Sequence, residues 1–151
     1  MSRFRFRLEP VLLMRQRAEE QAQMALARAE RQLQDAERGL ALSEQRLREA
    51  YVNASQAENE GSDVMLLTWH RNWIVVKSRD IEACRLDVRD RRETRDLRRH
   101  QAQDAHKERR VLERFKERAR ADFDGQVARR EMQAIDELAT IQAARRAGDF
   151  K

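Results

Sequence analysis

The chain of 151 residues is long enough for a globular domain, yet 39% of its residues are charged, 5% are aromatic and its mean hydropathy is −0.94. So little apolar material excludes a compact globular core. Only four glycines and one proline interrupt a composition dominated by helix formers, and the charges behind the net value of +5 are mixed in sign and interleaved with apolar residues. The sequence therefore predicts an all-α protein built from long helices.

The first apolar run of the chain covers only residues 11–14, which is too short for a secretory signal or a membrane-spanning helix. We therefore expect a cytoplasmic protein. The single cysteine, Cys84, excludes an intramolecular disulfide.

A first helix is predicted over about residues 8–58, with Pro10 in its first turn, where no backbone donor is lost. From Ala22 to Ala57 its small and apolar residues alternate at spacings of four and three, which is the a/d seam of a coiled coil. Alanine fills most alternate positions, so a partner helix can approach closely. The leucines of this seam recur every seven residues at Leu26, Leu33, Leu40 and Leu47.

The heptad pattern ends in the stretch NASQAENEGSD, residues 53–63, which is rich in turn-forming residues and contains Gly61. A turn with a possible short helix is predicted over about residues 59–67. We expect Met65, Leu66, Leu67 and Trp69 to cover the end of the hairpin as a short cap.

A second helix is predicted over about residues 68–147, in which apolar residues again recur at heptad spacing. Its C-terminal part overhangs the shorter first arm, and its pairing weakens over the polar stretch 89–110, which is expected to be a solvated helix. Residues 1–151 would then form a single elongated domain, a long antiparallel two-helix coiled-coil hairpin with an overhanging C-terminal helix. The expected cross-helix pairs are Leu47 with Ile74, Leu40 with Ile81 and Leu33 with Val88.

No motif for chemistry is present. The glycines form no phosphate-binding loop, and His70, His100 and His106 lack metal-ligand spacing. Cys84 has no base at a useful spacing and is interpreted as a small seam residue. We expect neither catalysis, nor a metal, nor a cofactor.

The basic stretch from Arg85 to Arg120 raises the alternative of a nucleic-acid binder. Acidic residues interrupt it throughout and no aromatic residues are interleaved for stacking, so a salt-bridged helix surface is favoured and nucleic acid is not expected as a partner. A generic structural coiled coil is the other alternative.

The N-terminal stretch FRFRLEPVLLMRQRAEEQAQ, with its F-x-F-x-L-x-x-V-L pattern at Phe4, Phe6, Leu8, Val11 and Leu12, resembles the start of the FliJ family of flagellar export proteins. The C-terminal stretch LERFKERARADFDGQVARREMQAIDELATIQ is similar to the charged C-terminal helix of that family.

This resemblance implies a noncatalytic stalk in a bacterial type III export apparatus that couples a FliI-like export ATPase ring to a FlhA-like export gate and binds export chaperones. It also implies a cytoplasmic location with peripheral association to the membrane through the gate. The YscO-type stalk proteins of injectisomes share this architecture and are an alternative.

By the same resemblance, the gate-binding surface lies early on the second helix, with Trp73 as the best match. The implied gate-binding residues are Trp69, Trp73, Lys77, Asp80 and Cys84.

The ATPase-facing surface is implied to combine both ends of the chain. Its candidate residues are Phe4, Phe6, Leu8, Leu12, Phe115, Phe123, Val127, Leu138 and Ile141. Packing of the same residues on one another, or in a dimer, is the alternative for each position.

Overall fold

The computed structural model describes residues 3–148. Helix α1 covers Glu9–Asn59 and helix α2 covers Val64–Gly148, and the described residues contain no strand. The predicted all-α helical hairpin is confirmed.

The helices contribute to two compact units. Unit 1 comprises residues 1–17 and 106–151, and unit 2 comprises residues 18–105. Each is described by itself below, and the single domain over residues 1–151 stays a prediction.

The turn in unit 2 is fixed by hydrogen bonds that close the end of α1. The Ser62 backbone N–H donates to the Ala57 carbonyl and the Gly61 N–H donates to the Glu58 carbonyl, both at 3.1 Å. Gly61 adopts the left-handed conformation with φ 69°. This is the Schellman arrangement, which uses glycine because a side chain is disfavoured at positive φ.

Helix α2 begins at Val64, whereas the sequence places its start near residue 68. Asp63 explains the earlier start, because its Oδ1 accepts a hydrogen bond from the Leu66 backbone N–H at 2.8 Å and so caps the helix. Met65 and Leu66 therefore lie exposed in the first turns of α2 instead of forming a separate cap.

The seam of unit 2 follows the heptad positions of α1. Every one of its eleven small or apolar seam positions is buried or half-buried, and the facing positions of α2 include Ile74, Ile81 and Val88. Because alanine fills so many of these positions, the seam is thin and buries little area per layer. The α1 positions are Ala22, Leu26, Ala29, Leu33, Ala36, Leu40, Ser43, Leu47, Ala50, Ala54 and Ala57.

The two helices pair one heptad away from the expected register. Leu40 lines a groove together with Val88, whereas the sequence pairs it with Ile81. Ser43 Oγ lies 3.5 Å from Cys84 Sγ, which fits the shifted pairing. A heptad shift leaves the same seam positions facing one another, so apolar spacing cannot distinguish the two registers.

Cross-helix charges do distinguish the registers. The Arg92 guanidinium lies 3.0 Å from the Glu37 carboxylate, and the Arg85 guanidinium lies 3.8 Å from the Glu44 carboxylate. These partners face each other only in the shifted pairing. The polar positions flanking the seam therefore carry the register information that the seam lacks.

The α2 stretch 89–105 is largely exposed, as the sequence suggests, but it also contributes residues to the seam. Ala102 is buried, and Arg91 and Arg95 are half-buried at seam positions. The Arg91 guanidinium donates to Gln32 Oε1 at 3.0 Å. Long arginine stems can cover apolar surface while their charged heads reach a polar partner, so a polar sequence still pairs here.

Unit 1 packs the N-terminal segment and the first two turns of α1 against α2. Leu12 is its most buried side chain, at 2% exposure. The Phe4 and Phe123 rings pack in a tilted geometry with centroids 5.6 Å apart. Helix α2 continues through Gly125 without a break, and every residue from 128 to 147 is exposed.

Candidate functional site

The exposed aromatic surface of unit 2 lies on α2 directly after the turn. Trp69 is 54% exposed and Trp73 is 41% exposed, and their rings stack with centroids 5.6 Å apart and an interplanar angle of 7°. The spacing of four residues puts the two indoles on one helix face. Two stacked indoles in water form a rigid apolar platform of the kind enriched at protein interfaces.

Lys77 packs against the Trp73 ring of this platform. Its Nζ lies 4.3 Å from the centroid of the Trp73 ring and 3.4 Å from Asp80 Oδ2. The lysine stem occupies a seam position and its side chain is largely buried. The cation–π contact thus orients the Trp73 ring.

The five gate-binding candidates fall on two faces of α2. Trp69, Trp73 and Asp80 are exposed, whereas Lys77 and Cys84 lie at half-buried seam positions. A partner can reach the first three without opening the hairpin. The Lys77 stem lies in the seam while its ammonium group reaches the exposed Trp73 ring and Asp80, and Cys84 contributes through the packing of the seam.

Two further residues extend the exposed aromatic stripe. Leu66 and Val76 are exposed and continue the spacing of Trp69 and Trp73. The sequence contains the signal, because both are apolar at positions outside the heptad seam. We refer to these four residues, Leu66, Trp69, Trp73 and Val76, as the tryptophan face.

Unit 1 brings the N-terminal members of the ATPase-facing set together with Phe123 of α2. Phe4, Phe6 and Phe123 are half-buried and Leu12 is buried, whereas Leu8 is exposed. The Arg120 guanidinium lies 5.3 Å from the Phe4 ring centroid, on which it makes a cation–π contact.

The other members of that set on α2 are mostly exposed. Phe115, Leu138 and Ile141 are exposed, and Val127 is half-buried. Beyond residue 127 the apolar side chains Met132, Ile135, Leu138 and Ile141 remain accessible to solvent. A run of exposed apolar residues on one helix marks a surface that can bind a partner.

Ion pairs join α1 to α2 within unit 1. Lys116 Nζ lies 2.7 Å from Glu9 Oε2, and Arg15 pairs with Glu108. The hydrogen bond from Arg110 keeps the pKa of Glu113 below its ordinary value of 4.5, with a further contribution from Arg109 and against the opposing effect of desolvation. Sequence reasoning missed Glu9 and Lys116, whose pairing depends on the register of the chain.

Several basic residues of α2 in unit 2 have acidic partners. Ion pairs join Arg85 with Glu82, Arg89 with Glu93, Arg91 with Asp87, and Arg95 with Asp96. These contacts supply carboxylates to guanidinium groups that would otherwise attract phosphates.

The described residues contain no cluster of three or more metal-ligating side chains. Within residues 3–148, neither helix contains a stretch apolar enough to cross a bilayer.

The two long helices and their exposed apolar faces define a helical coiled-coil protein whose surfaces suit protein partners. Residues 4–148 match the family described as Flagellar FliJ protein, and the chain belongs to this family. The resemblance read from the sequence is thereby confirmed. No curated protein matches the chain, and no solved structure matches it.

Membership of this family makes the chain a flagellar export-related protein that associates with the flagellar export apparatus. The family is a noncatalytic component of that apparatus.

Proposed function

We propose that the protein is a noncatalytic stalk and adaptor that couples a FliI-like export ATPase ring to a FlhA-like export gate and also binds export chaperones. The observation that carries the proposal is the presence of a separate apolar contact surface in each unit. Unit 2 has the tryptophan face, and unit 1 has the half-buried phenylalanines Phe4, Phe6 and Phe123 with the exposed C-terminal part of α2.

The tryptophan face is proposed as the gate-binding surface. Stacked, partly exposed indoles lose little side-chain entropy on binding and can bury a large apolar area, which makes them suitable anchors. Lys77 supports the surface by orienting Trp73, and Asp80 adds a charged edge. Cys84 contributes through the packing of the seam.

The proposed ATPase-binding surface combines the N-terminal segment with α2. The contact between Phe4 and Phe123 fixes the extended N-terminal residues on the helix and leaves the C-terminal apolar residues free to bind a ring. The match to the flagellar family favours a flagellar apparatus over the YscO-type alternative.

The gate contact is tested by measuring the affinity of the purified protein for the cytoplasmic domain of its gate. Trp73→Ala should weaken binding at least about tenfold, since a tryptophan anchor buried in an interface typically contributes about 2 kcal/mol or more to the free energy of binding. Leu86→Ala removes an apolar side chain that is 59% exposed on another part of α2 and is the matched control. Equal binding by both variants and the wild type would contradict the assignment of this face.

The ATPase contact is tested by steady-state hydrolysis. Wild-type protein should stimulate the cognate ATPase, and Phe123→Ala should reduce that stimulation while α-helical circular dichroism is retained. Chaperone binding is tested separately by co-elution of each export chaperone with the wild-type chain. An ATPase that neither binds the wild-type protein nor responds to it would contradict the proposal.

A further inference from the structure

A groove in unit 1 lies between the N-terminal segment and α2. Its volume is about 1280 Å³. This exceeds the roughly 300–1,000 Å³ of an ordinary small-molecule site, and a segment of polypeptide fits it better. The residues that determine its character are Arg3, Arg5, Arg7, Phe6, Lys116 and Arg120.

The local sequence separates charge from apolar surface. In the stretch R-F-R-F-R the side chains alternate, and residues 3–6 form no helix. Phe4 and Phe6 are half-buried, whereas Arg3, Arg5 and Arg7 are exposed. This is the alternation of an extended segment with one face against the protein and the other in water.

The charge of the groove is strongly one-sided. Five of its lining residues are basic and Glu9 is its one acidic residue. Glu9 is already paired with Lys116, and Arg120 is paired with Asp124 at 3.1 Å. Among residues 3–148, no carboxylate forms an ion pair with Arg3, Arg5 or Arg7. Three exposed arginines therefore line the groove, and none of them has a carboxylate partner within the described part of the chain.

The floor of the groove is apolar. Pro10 and Leu13 line it beside Phe6, and Leu13 is exposed to solvent. A ligand that fits must combine negative charge with an apolar side chain. A carboxylate-rich peptide segment has both, because carboxylates accept paired hydrogen bonds from arginine while a neighbouring apolar residue covers the floor.

Nucleic acid fits the groove less well. Single strands bind basic grooves chiefly by stacking bases on aromatic faces. Phe4 packs against Phe123 on one side and carries the Arg120 guanidinium, so its ring is already occupied.

We propose that this groove captures an acidic, apolar-anchored segment of the export ATPase, with Arg3, Arg5 and Arg7 as the residues that select it. The inference rests on the proposed ATPase contact and names the chemistry of the partner segment. The three arginines would then select the partner by charge, whereas Phe4, Phe6 and the other apolar candidates of unit 1 would contribute apolar contact.

The test compares two triple variants of the full chain. Arg3→Gln, Arg5→Gln and Arg7→Gln together remove the three groove charges and leave both phenylalanines in place. Arg28→Gln, Arg38→Gln and Arg46→Gln together remove three exposed charges from α1 in unit 2 and are the matched control. Affinity and association rate for the cognate ATPase are measured at 50 and 300 mM NaCl by biolayer interferometry.

The groove variant should bind about tenfold more weakly at 50 mM NaCl, mainly through a slower association rate, and the deficit should shrink at 300 mM. The control variant should bind within about twofold of the wild type, since charges outside a contact contribute little. Circular dichroism should show the same helicity for all three proteins.

The outcomes separate the inference from the function on which it rests. No binding of wild-type protein to the ATPase would contradict the proposed function and this inference together. Wild-type binding that the groove variant retains in full, or that the control variant loses equally, would overturn the inference alone. Salt-dependent binding of polyuridylate that competes with the ATPase and is lost in the groove variant would assign the groove to nucleic acid instead.

Discussion

Replacing Ile81 with alanine tests whether the thin seam holds the hairpin together. Ile81 is 4% exposed and lies at the seam of unit 2. Truncation of a buried isoleucine to alanine costs about 2–5 kcal/mol, through lost transfer free energy and the cavity left behind. A seam of two helices lined by alanine can close partly around the gap, so we expect the lower half of this range, about 2–3 kcal/mol.

The free energy of unfolding is measured by urea denaturation followed at 222 nm. Leu86→Ala is the control, because Leu86 lies on the same helix in the same unit and is largely exposed. It should change the free energy of unfolding by about 0.5 kcal/mol or less. A thermal midpoint lowered by about 4–12 °C for Ile81→Ala would accompany the expected loss.

Equal effects of the two substitutions would refute the reasoning, since they would show that burial at the heptad positions does not stabilise the fold. A loss in Leu86→Ala larger than in Ile81→Ala would place the seam on another face of α2.

Substitutions at three further positions test the turn of unit 2 and an ion pair of unit 1. Gly61→Ala should lower the free energy of unfolding by about 1–2 kcal/mol, because space is open at this position but φ is +69°; an unchanged urea midpoint would exclude the left-handed turn. Asp63→Ala should cost about 1 kcal/mol by removing the cap of α2, with Asp63→Asn retaining most of the stability, and equal losses in both variants would argue against a cap. Glu113→Gln should destabilise the protein at neutral pH, because the folded-state pKa of Glu113 is depressed. The stabilising contribution of Glu113 is present above the ordinary pKa of 4.5 and is lost as pH falls through the folded-state pKa. The difference in free energy of unfolding between variant and wild type, measured by urea titration, should therefore close below pH 4.5. A difference that does not depend on pH would contradict this.

The helices and the seam of α1 could be predicted because their signals are local. The four-three spacing from Ala22 to Ala57 identifies which residues face a partner helix whatever that partner is. The register could not be predicted in the same way, since a shift by one heptad preserves the pattern. The pairs formed by Arg92 with Glu37 and by Arg85 with Glu44 depend on which helix turns meet, and that is a property of the folded pair.

The candidate site was predictable to a similar extent. Trp69 and Trp73 are identifiable because apolar residues outside the heptad seam of two paired helices lie exposed. Lys77 and Cys84 are one heptad apart and lie in the seam, whereas Trp73 and Asp80 are one heptad apart on the neighbouring face. A seam lysine such as Lys77 cannot be identified from the polarity of its side chain, because its stem is buried while its ammonium group reaches the surface.

The exposed arginines of the N-terminal groove, Arg3, Arg5 and Arg7, illustrate the same limit. Their alternation with Phe4 and Phe6 is visible in the sequence. That Glu9 is neutralised by Lys116 and so leaves the groove basic follows only from the packing of unit 1.

The central claim is that one chain links the export ATPase to the export gate, and a bridging assay tests it most directly. The gate domain is immobilised, and retention of the ATPase is measured with and without the protein. The account predicts that the ATPase is retained only when the wild-type chain is present and is lost with Trp73→Ala, although that variant still binds the ATPase alone. Equal retention of the ATPase without the chain, or undiminished bridging by Trp73→Ala, would contradict it.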